Sequence, residues 1–192
     1  MFPKRKNKEH AVLKVSVLMI TYNQEEYITQ AIDGALKQEA DFNYEIVVGD
    51  DCSTDSTRAI LRDYQQKNSD RVKLLLHKQN LGFSGKKNFT ETFKACQGKY
   101  IAILEGDDYW TSPHKLQKQV DYLDSDPRYA ECFHDVSRLY EDGSLQPWGL
   151  PSVKKNRYIL ADLLEVNFIP TCTTMFRNKL FDEFPECYYE AA

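Results

Sequence analysis

Four strand-sized apolar runs, residues 14–20, 44–49, 72–76 and 100–104, alternate with stretches of helical periodicity over the first 104 residues. The runs are continuous and rich in valine, isoleucine and leucine, the pattern of strands buried on both faces. Between the first two, Tyr27, Ile28, Ala31, Ile32, Ala35 and Leu36 form one apolar stripe at helical spacing. Ile60, Leu61 and Tyr64 form a second stripe, in a helix expected to start near Thr54 or Asp55, and residues 86–97 a third helix that stops at Gly98. Such alternation predicts an α/β fold of Rossmann-like kind: a mostly parallel central sheet with right-handed crossovers and helices on both faces.

Asn23 followed by Glu26 is expected to cap the first helix, the acid reaching back to the cap. Ser112-Pro113 is expected to open a fourth, with Leu116, Val120 and Leu123 on its inner face and Asp126-Pro127 as its end. Beyond it the pattern loosens. Residues 129–140 read as a strand, 141–144 as a turn, 158–166 as a short helix and 171–177 as a further strand. The 192 residues suffice for one such domain, with residues 1–13 as a tail and 14–192 as the folded unit.

A net charge of −4, with both signs spread along the chain, argues against a surface for nucleic-acid backbones. The Lys4-Arg5-Lys6-Asn7-Lys8 cluster reads as a solvated tail. No apolar run reaches the roughly 20 residues that span a bilayer, and no signal-peptide core is present, so cytoplasmic residence is the default. Five cysteines (Cys52, Cys96, Cys132, Cys172, Cys187), without any C-x-x-C pair, read as reduced thiols and not as a disulfide framework or zinc site. His77, His114 and His134 lack ligand-like spacing.

What carries chemistry sits where the runs stop. Asp50-Asp51 follow the second run, and Glu105, Asp107 and Asp108 follow the fourth. An isolated Asp pair in a turn is usually a cap, hydrogen-bonded to nearby backbone N–H groups. Two such groups at the carboxyl ends of parallel strands, where ligands collect in this architecture, favour one polar site instead. Crowded carboxylates resist ionisation unless a hard divalent cation shares their charge.

With these motifs the chain resembles the family 2 glycosyltransferases of GT-A fold, nucleotide-sugar-dependent enzymes. Residues 15–23 (VSVLMITYN) resemble the family's first strand and nucleotide loop, and residues 49–57 (GDDCSTDST) its second-strand motif. Asn80-Leu81-Gly82 with Lys86-Lys87-Asn88 resembles a third motif, and residues 104–110 (LEGDDYW) its D-x-D region, with Glu105 where many members have aspartate. Four motifs in order are far more specific than any one.

The resemblance implies transfer of a sugar, with inversion, from a nucleotide diphosphate donor, a UDP-sugar by preference, to a saccharide or lipid-linked acceptor in envelope polysaccharide synthesis. Lipid-linked acceptors would put the protein at the inner face of a membrane. It implies Mn2+ or Mg2+ held by Asp108, with Asp107 and Glu105 beside it, Asp107 being better suited to ribose or a metal-bound water. Adjacent strand residues point to opposite faces, so Asp107 and Asp108 are expected to differ in role. Asp51 is expected to accept a hydrogen bond from the base, with Asp50 more structural, and Thr21, Tyr22, Asn23 and Glu25 to frame the nucleotide. Lys86 or Lys87 would offset diphosphate charge. Tyr109 and Trp110 read equally as walls of a sugar pocket or as core. The family's catalytic base is expected beyond Ala192, in a chain read as truncated. Two other functions stay open: a binding module of the same fold without chemistry, and a nucleotidyltransferase, which would want a glycine-rich phosphate loop. A dehydrogenase would need G-x-G-x-x-G after the first strand, which is absent.

Overall fold

The computed structural model describes residues 12–148, 155–180 and 183–190, so the Lys4–Lys8 cluster and most of the expected tail lie outside the described residues. Its elements run β1 (Val15–Thr21), α1 (Ile28–Leu36), β2 (Tyr44–Asp50), α2 (Thr57–Lys67), β3 (Val72–Leu76), α3 (Lys86–Ala95) and β4 (Tyr100–Glu105). Then follow α4 (Lys115–Ser125), β5 (Glu131–Cys132), β6 (Val136–Leu139), β7 (Leu145–Trp148), α5 (Leu160–Glu165), β8 (Met175–Arg177) and α6 (Glu186–Glu190). A six-stranded sheet has the order β3-β2-β1-β4-β8-β5. Its first four strands are parallel neighbours, as their uninterrupted apolar runs require. β8 runs antiparallel to both β4 and β5.

Strand alternation divides β1 between two cores. Val15, Val17 and Met19 pack with Ile28, Ala31, Ile32 and Ala35 of α1 and with Leu116, Val120 and Leu123 of α4. Leu18 and Ile20 face the opposite side, against Phe89 and Phe93 of α3. Each fully buried Leu or Ile contributes about 1.5–3 kcal/mol relative to exposure, so the sheet is held from both faces. Ser16 points into the second face and costs little, because its hydroxyl donates to Glu45 and accepts from Gly98 N at 2.8 Å.

Several expectations are corrected. Asn23 does not cap α1: it adopts a left-handed backbone (φ 52°), and α1 begins at Ile28 after Tyr27. Its side chain instead accepts from Thr54 N at 2.8 Å, tying the loop after β1 to the loop after β2. α2, expected to start near Thr54 or Asp55, opens at Thr57, with Asp55 accepting from Thr57 N just ahead of its first turn. Ser112 likewise accepts from His114 N, and α4 starts two residues beyond Pro113. The strand expected over 129–140 is broken in two: β5 joins the main sheet, while β6 pairs with β7 in a separate hairpin turning at Gly143 (φ 80°). The strand expected over 171–177 begins as a tight 3-10 turn, Thr171–Thr173, and only Met175–Arg177 is extended. Among the described residues no helix is long and apolar enough to cross a membrane.

Gly98, between α3 and β4, sits against the start of β1: a Cβ there would stand 2.4 Å from Ser16 N and 2.5 Å from the Val15 carbonyl carbon. Backbone cannot yield as a side chain can. Gly98→Ala is therefore expected to lower stability by about 1–3 kcal/mol in urea unfolding, with an unchanged m-value.

Candidate active site

The register of β1 with its neighbours brings the acidic strand ends together. Thr21 lies opposite Asp50 on β2, and Ile20 opposite Glu105 on β4. Past these pairs the chains separate, yet Asp51 N still bonds Thr21 O and Gly106 N bonds Ile20 O, each at 3.0 Å. Gly106 leaves room there for the β1 loop: a Cβ would meet Gln24 Oε1 at 2.4 Å and Thr21 Oγ1 at 2.9 Å, and these side chains would have to shift. The outcome is a cleft of about 420 Å³ at the carboxyl edge of the sheet. Its acidic lining is Asp51, Glu105 and Asp107, with Thr21 and Tyr22 on the β1 side.

Not every expected residue reaches it. Asp50 is fully buried, and its Oδ1 pairs with the Arg58 guanidinium and accepts from Ser53 N, while Oδ2 has no hydrogen-bond partner. Arg58 also donates to His77 O, so this pair clamps the loop after β2 to the loop after β3. Asp50 thus sits behind the cleft as a loop anchor, the more structural member of the pair. Asn23 and Glu25 are not among the residues that line the cleft: Glu25 accepts from Ser56 N at 2.7 Å, and both serve the junction between loops. Lys86 lies over the Tyr188 ring, 5.8 Å from its centroid, and neither Lys86 nor Lys87 lines the cleft. Trp110 is core, its indole N–H donating to Cys172 O at 3.0 Å and Lys115 lying 3.9 Å over its ring.

The cleft also holds Asn80 and Asn88 of the third motif, together with Gln24 and Ser84, which the motifs had not singled out. Asn80 donates to Asp51 O, and Leu81 N donates to Asp51 Oδ1 at 2.7 Å, so one carboxylate oxygen is held while the residue lines the cleft. Gly82, Ser84 and Gly85 all have positive φ, folding the segment before α3 against the cleft. Their glycines were the available signal; the contacts of Asn80 and Asn88 were not readable.

Asp107 and Asp108 do differ, though for another reason than strand alternation, since both lie in the turn beyond β4. Asp107 lines the cleft; Asp108 converges with Glu105 and Cys172, one ligating atom of each lying within 4.8 Å of the others. Burial, then the charges of Asp108 and Asp107, push Glu105 up to about 7. Burial and the neighbouring Asp108 push the Cys172 thiol up to about 12.

The profile of Glycosyl transferase family 2 matches residues 16–184, and the chain belongs to that family. It is 40% identical over 173 residues to the uncharacterized protein Rv1520 of Mycobacterium tuberculosis, an alignment covering 89% of this chain and 49% of the relative. Among solved structures it is similar to TarS of Staphylococcus aureus, a poly(ribitol-phosphate) β-N-acetylglucosaminyltransferase. TarS residues 1–349 align with TM-score 0.60 and 25% identity over 86% of this chain and 47% of that one. The TarS complex with UDP-GlcNAc aligns with TM-score 0.52 and 34% identity over 59% and 32%. PcManGT, a mannosyltransferase of Pyrobaculum calidifontis solved with GDP-Man and Mn2+, shares the fold at TM-score 0.55 and 24% identity, over 62% of this chain and 34% of that one. The chain spans about half the length of the curated relatives it matches first.

Two outcomes follow. Arg58→Met leaves Asp50 buried beside no cation, and is expected to cost about 3–5 kcal/mol in urea unfolding. Glu105 is raised above its ordinary 4.5, so between about 4.5 and about 7 the native state binds more protons than the unfolded one. In metal-free buffer its contribution to stability is full below 4.5 and is lost as pH rises through 7. Comparison of unfolding midpoints at pH 4.5 and 8 should show that part of the pH slope missing in Glu105→Gln.

Proposed function

We propose that this chain carries the nucleotide-sugar site of a glycosyltransferase that moves a sugar, with inversion, from a UDP-sugar to a hydroxyl of a saccharide or lipid-linked acceptor in envelope polysaccharide synthesis. The observation that carries the reading is the convergence on one cleft of Asp51 from β2 and of Glu105 and Asp107 from β4, across β1. Base recognition falls to one side: Tyr22, 47% exposed, offers a ring for stacking, and Asp51, oriented by Leu81 N, accepts from a base N–H. The UDP-GlcNAc held by TarS supports a uridine donor.

The diphosphate falls between Asp107 and the start of α3, a helix N-terminus whose dipole favours anions. A divalent cation, Mn2+ or Mg2+, fits the donor set, because burial and then the charges of Asp108 and Asp107 disfavour an ionised Glu105, and a cation shared by these carboxylates offsets that penalty. Asp108 and Glu105 would hold it, and Asp107 would bind ribose or a metal-bound water. When bound, the cation supplies charge stabilisation to the departing diphosphate. The protein's own residues bind and orient: Asp51 and Tyr22 set the base, Thr21 and Gln24 brace each other at 2.7 Å, and Asp107 sets the ribose end.

Calorimetric titration of UDP, then GDP, with Mn2+ and with EDTA tests this. Expected are Mn2+-dependent UDP binding, its loss in Asp108→Ala, and a loss of about 1.5–3 kcal/mol in Asp51→Asn, roughly ten- to a hundredfold in Kd. Absence of heat and of thermal shift with both nucleotides at saturating Mn2+ would falsify the reading.

A further inference from the structure

We propose that Cys172 supplies a sulfur ligand to the cation held by Asp108 and Glu105, which makes this a mixed oxygen–sulfur site suited to Mn2+ or a later first-row ion over Mg2+. The proposal rests on the metal-dependent reading above and adds to it a ligand and a cation class. Glu105 and Asp108 come from the end of β4 and the turn after it, whereas Cys172 comes from a 3-10 turn much later in the chain. Ligand atoms of all three lie within 4.8 Å of one another. Ligands about 2.0–2.3 Å from a shared cation stand at most about 4.6 Å apart, so a small inward movement closes the set.

Cys172 is not placed there by chance packing of a loose loop. Trp110 Nε1 donates to its carbonyl, Gln119 Nε2 donates to Thr173 O at 2.8 Å, and Ile103 N bonds Thr174 O at 3.1 Å. Thr173 is fully buried, with both its N–H and its hydroxyl on Pro170 O. The turn is therefore pinned to β4, α4 and the segment after the acids, with the thiol beside Asp108. A buried cysteine is ordinarily a small apolar filler. Here its sulfur faces two carboxylates, surroundings that disfavour an apolar group and favour a cation between them. On coordination the metal–sulfur bond replaces the S–H bond, and the proton leaves to solvent. Mg2+ prefers an all-oxygen octahedral shell, whereas sulfur shifts preference toward transition metals.

Co2+ titrated into the full chain with saturating UDP provides the test, read by absorption spectroscopy and calorimetry together. Expected is a near-ultraviolet thiolate-to-cobalt band that saturates with the calorimetric isotherm, is absent in Cys172→Ser and persists in Cys52→Ser. Cys172→Ser should still bind UDP, with metal affinity lowered at least about tenfold and a smaller Mn2+-over-Mg2+ preference. Saturable, UDP-linked Co2+ binding without that band, or with a band that survives Cys172→Ser, overturns the sulfur ligand and leaves the nucleotide-sugar reading standing. Failure of Co2+ and Mn2+ alike to support UDP binding overturns both.

Discussion

β1 is the strand on which the functional edge depends. It lies between β2 and β4 in parallel register, and that register puts Asp50 opposite Thr21 and Glu105 opposite Ile20. A slip of one residue would turn Val15, Val17 and Met19 out of the larger core and Ser16 into it, so apolar burial holds the register tightly. The acids are thereby delivered to one edge as a consequence of packing far below them. Gly98 and Ser16 secure the other end of the same strand by close backbone approach.

Within that edge, neighbouring acids are separated by burial. Asp50 ends β2 fully inside the protein and has to be paired, which Arg58 does while bridging to His77 O. Asp51, one residue on, has left the strand and lines the cleft. The cost of a buried charge thus buys a rigid base for the exposed one. Glu105 shows opposite electrostatics: among the described residues it has no ion-pair partner, and burial, then the charges of Asp108 and Asp107, raise its carboxyl to about 7. Acids that repel one another when bare leave the native state more stable with that charge neutralised.

The antiparallel strand β8 contributes more than width to the sheet. By pairing with β4, it draws the 3-10 turn that precedes it against the turn that carries Asp108. Cys172, Trp110, Lys115 and Gln119 form one buried group around that junction, joined through the Cys172 and Thr173 carbonyls.

The sequence by itself determined the α/β architecture, the four parallel strands and the polar edge, because continuous apolar runs, helical stripes and acidic strand ends are local patterns. It also marked Thr21, Tyr22, Asp51, Glu105 and Asp107, all of which line the cleft. Only the tertiary structure decided that Asn23, Glu25 and Asp50 turn away to knit loops together, since that depends on partners such as Ser53, Thr54, Ser56 and Arg58 brought near by the β1–β2 pairing. The same holds for the hairpin of β6 and β7, and for the 3-10 turn that replaces the start of an expected strand. Cys172 belongs to this second class. Its apolar, β-branched surroundings in sequence read as strand, and its place beside Asp108 is set by hydrogen bonds to residues more than 50 positions away. Local periodicity reports which face of an element is buried, but not what a distant segment will lay against it.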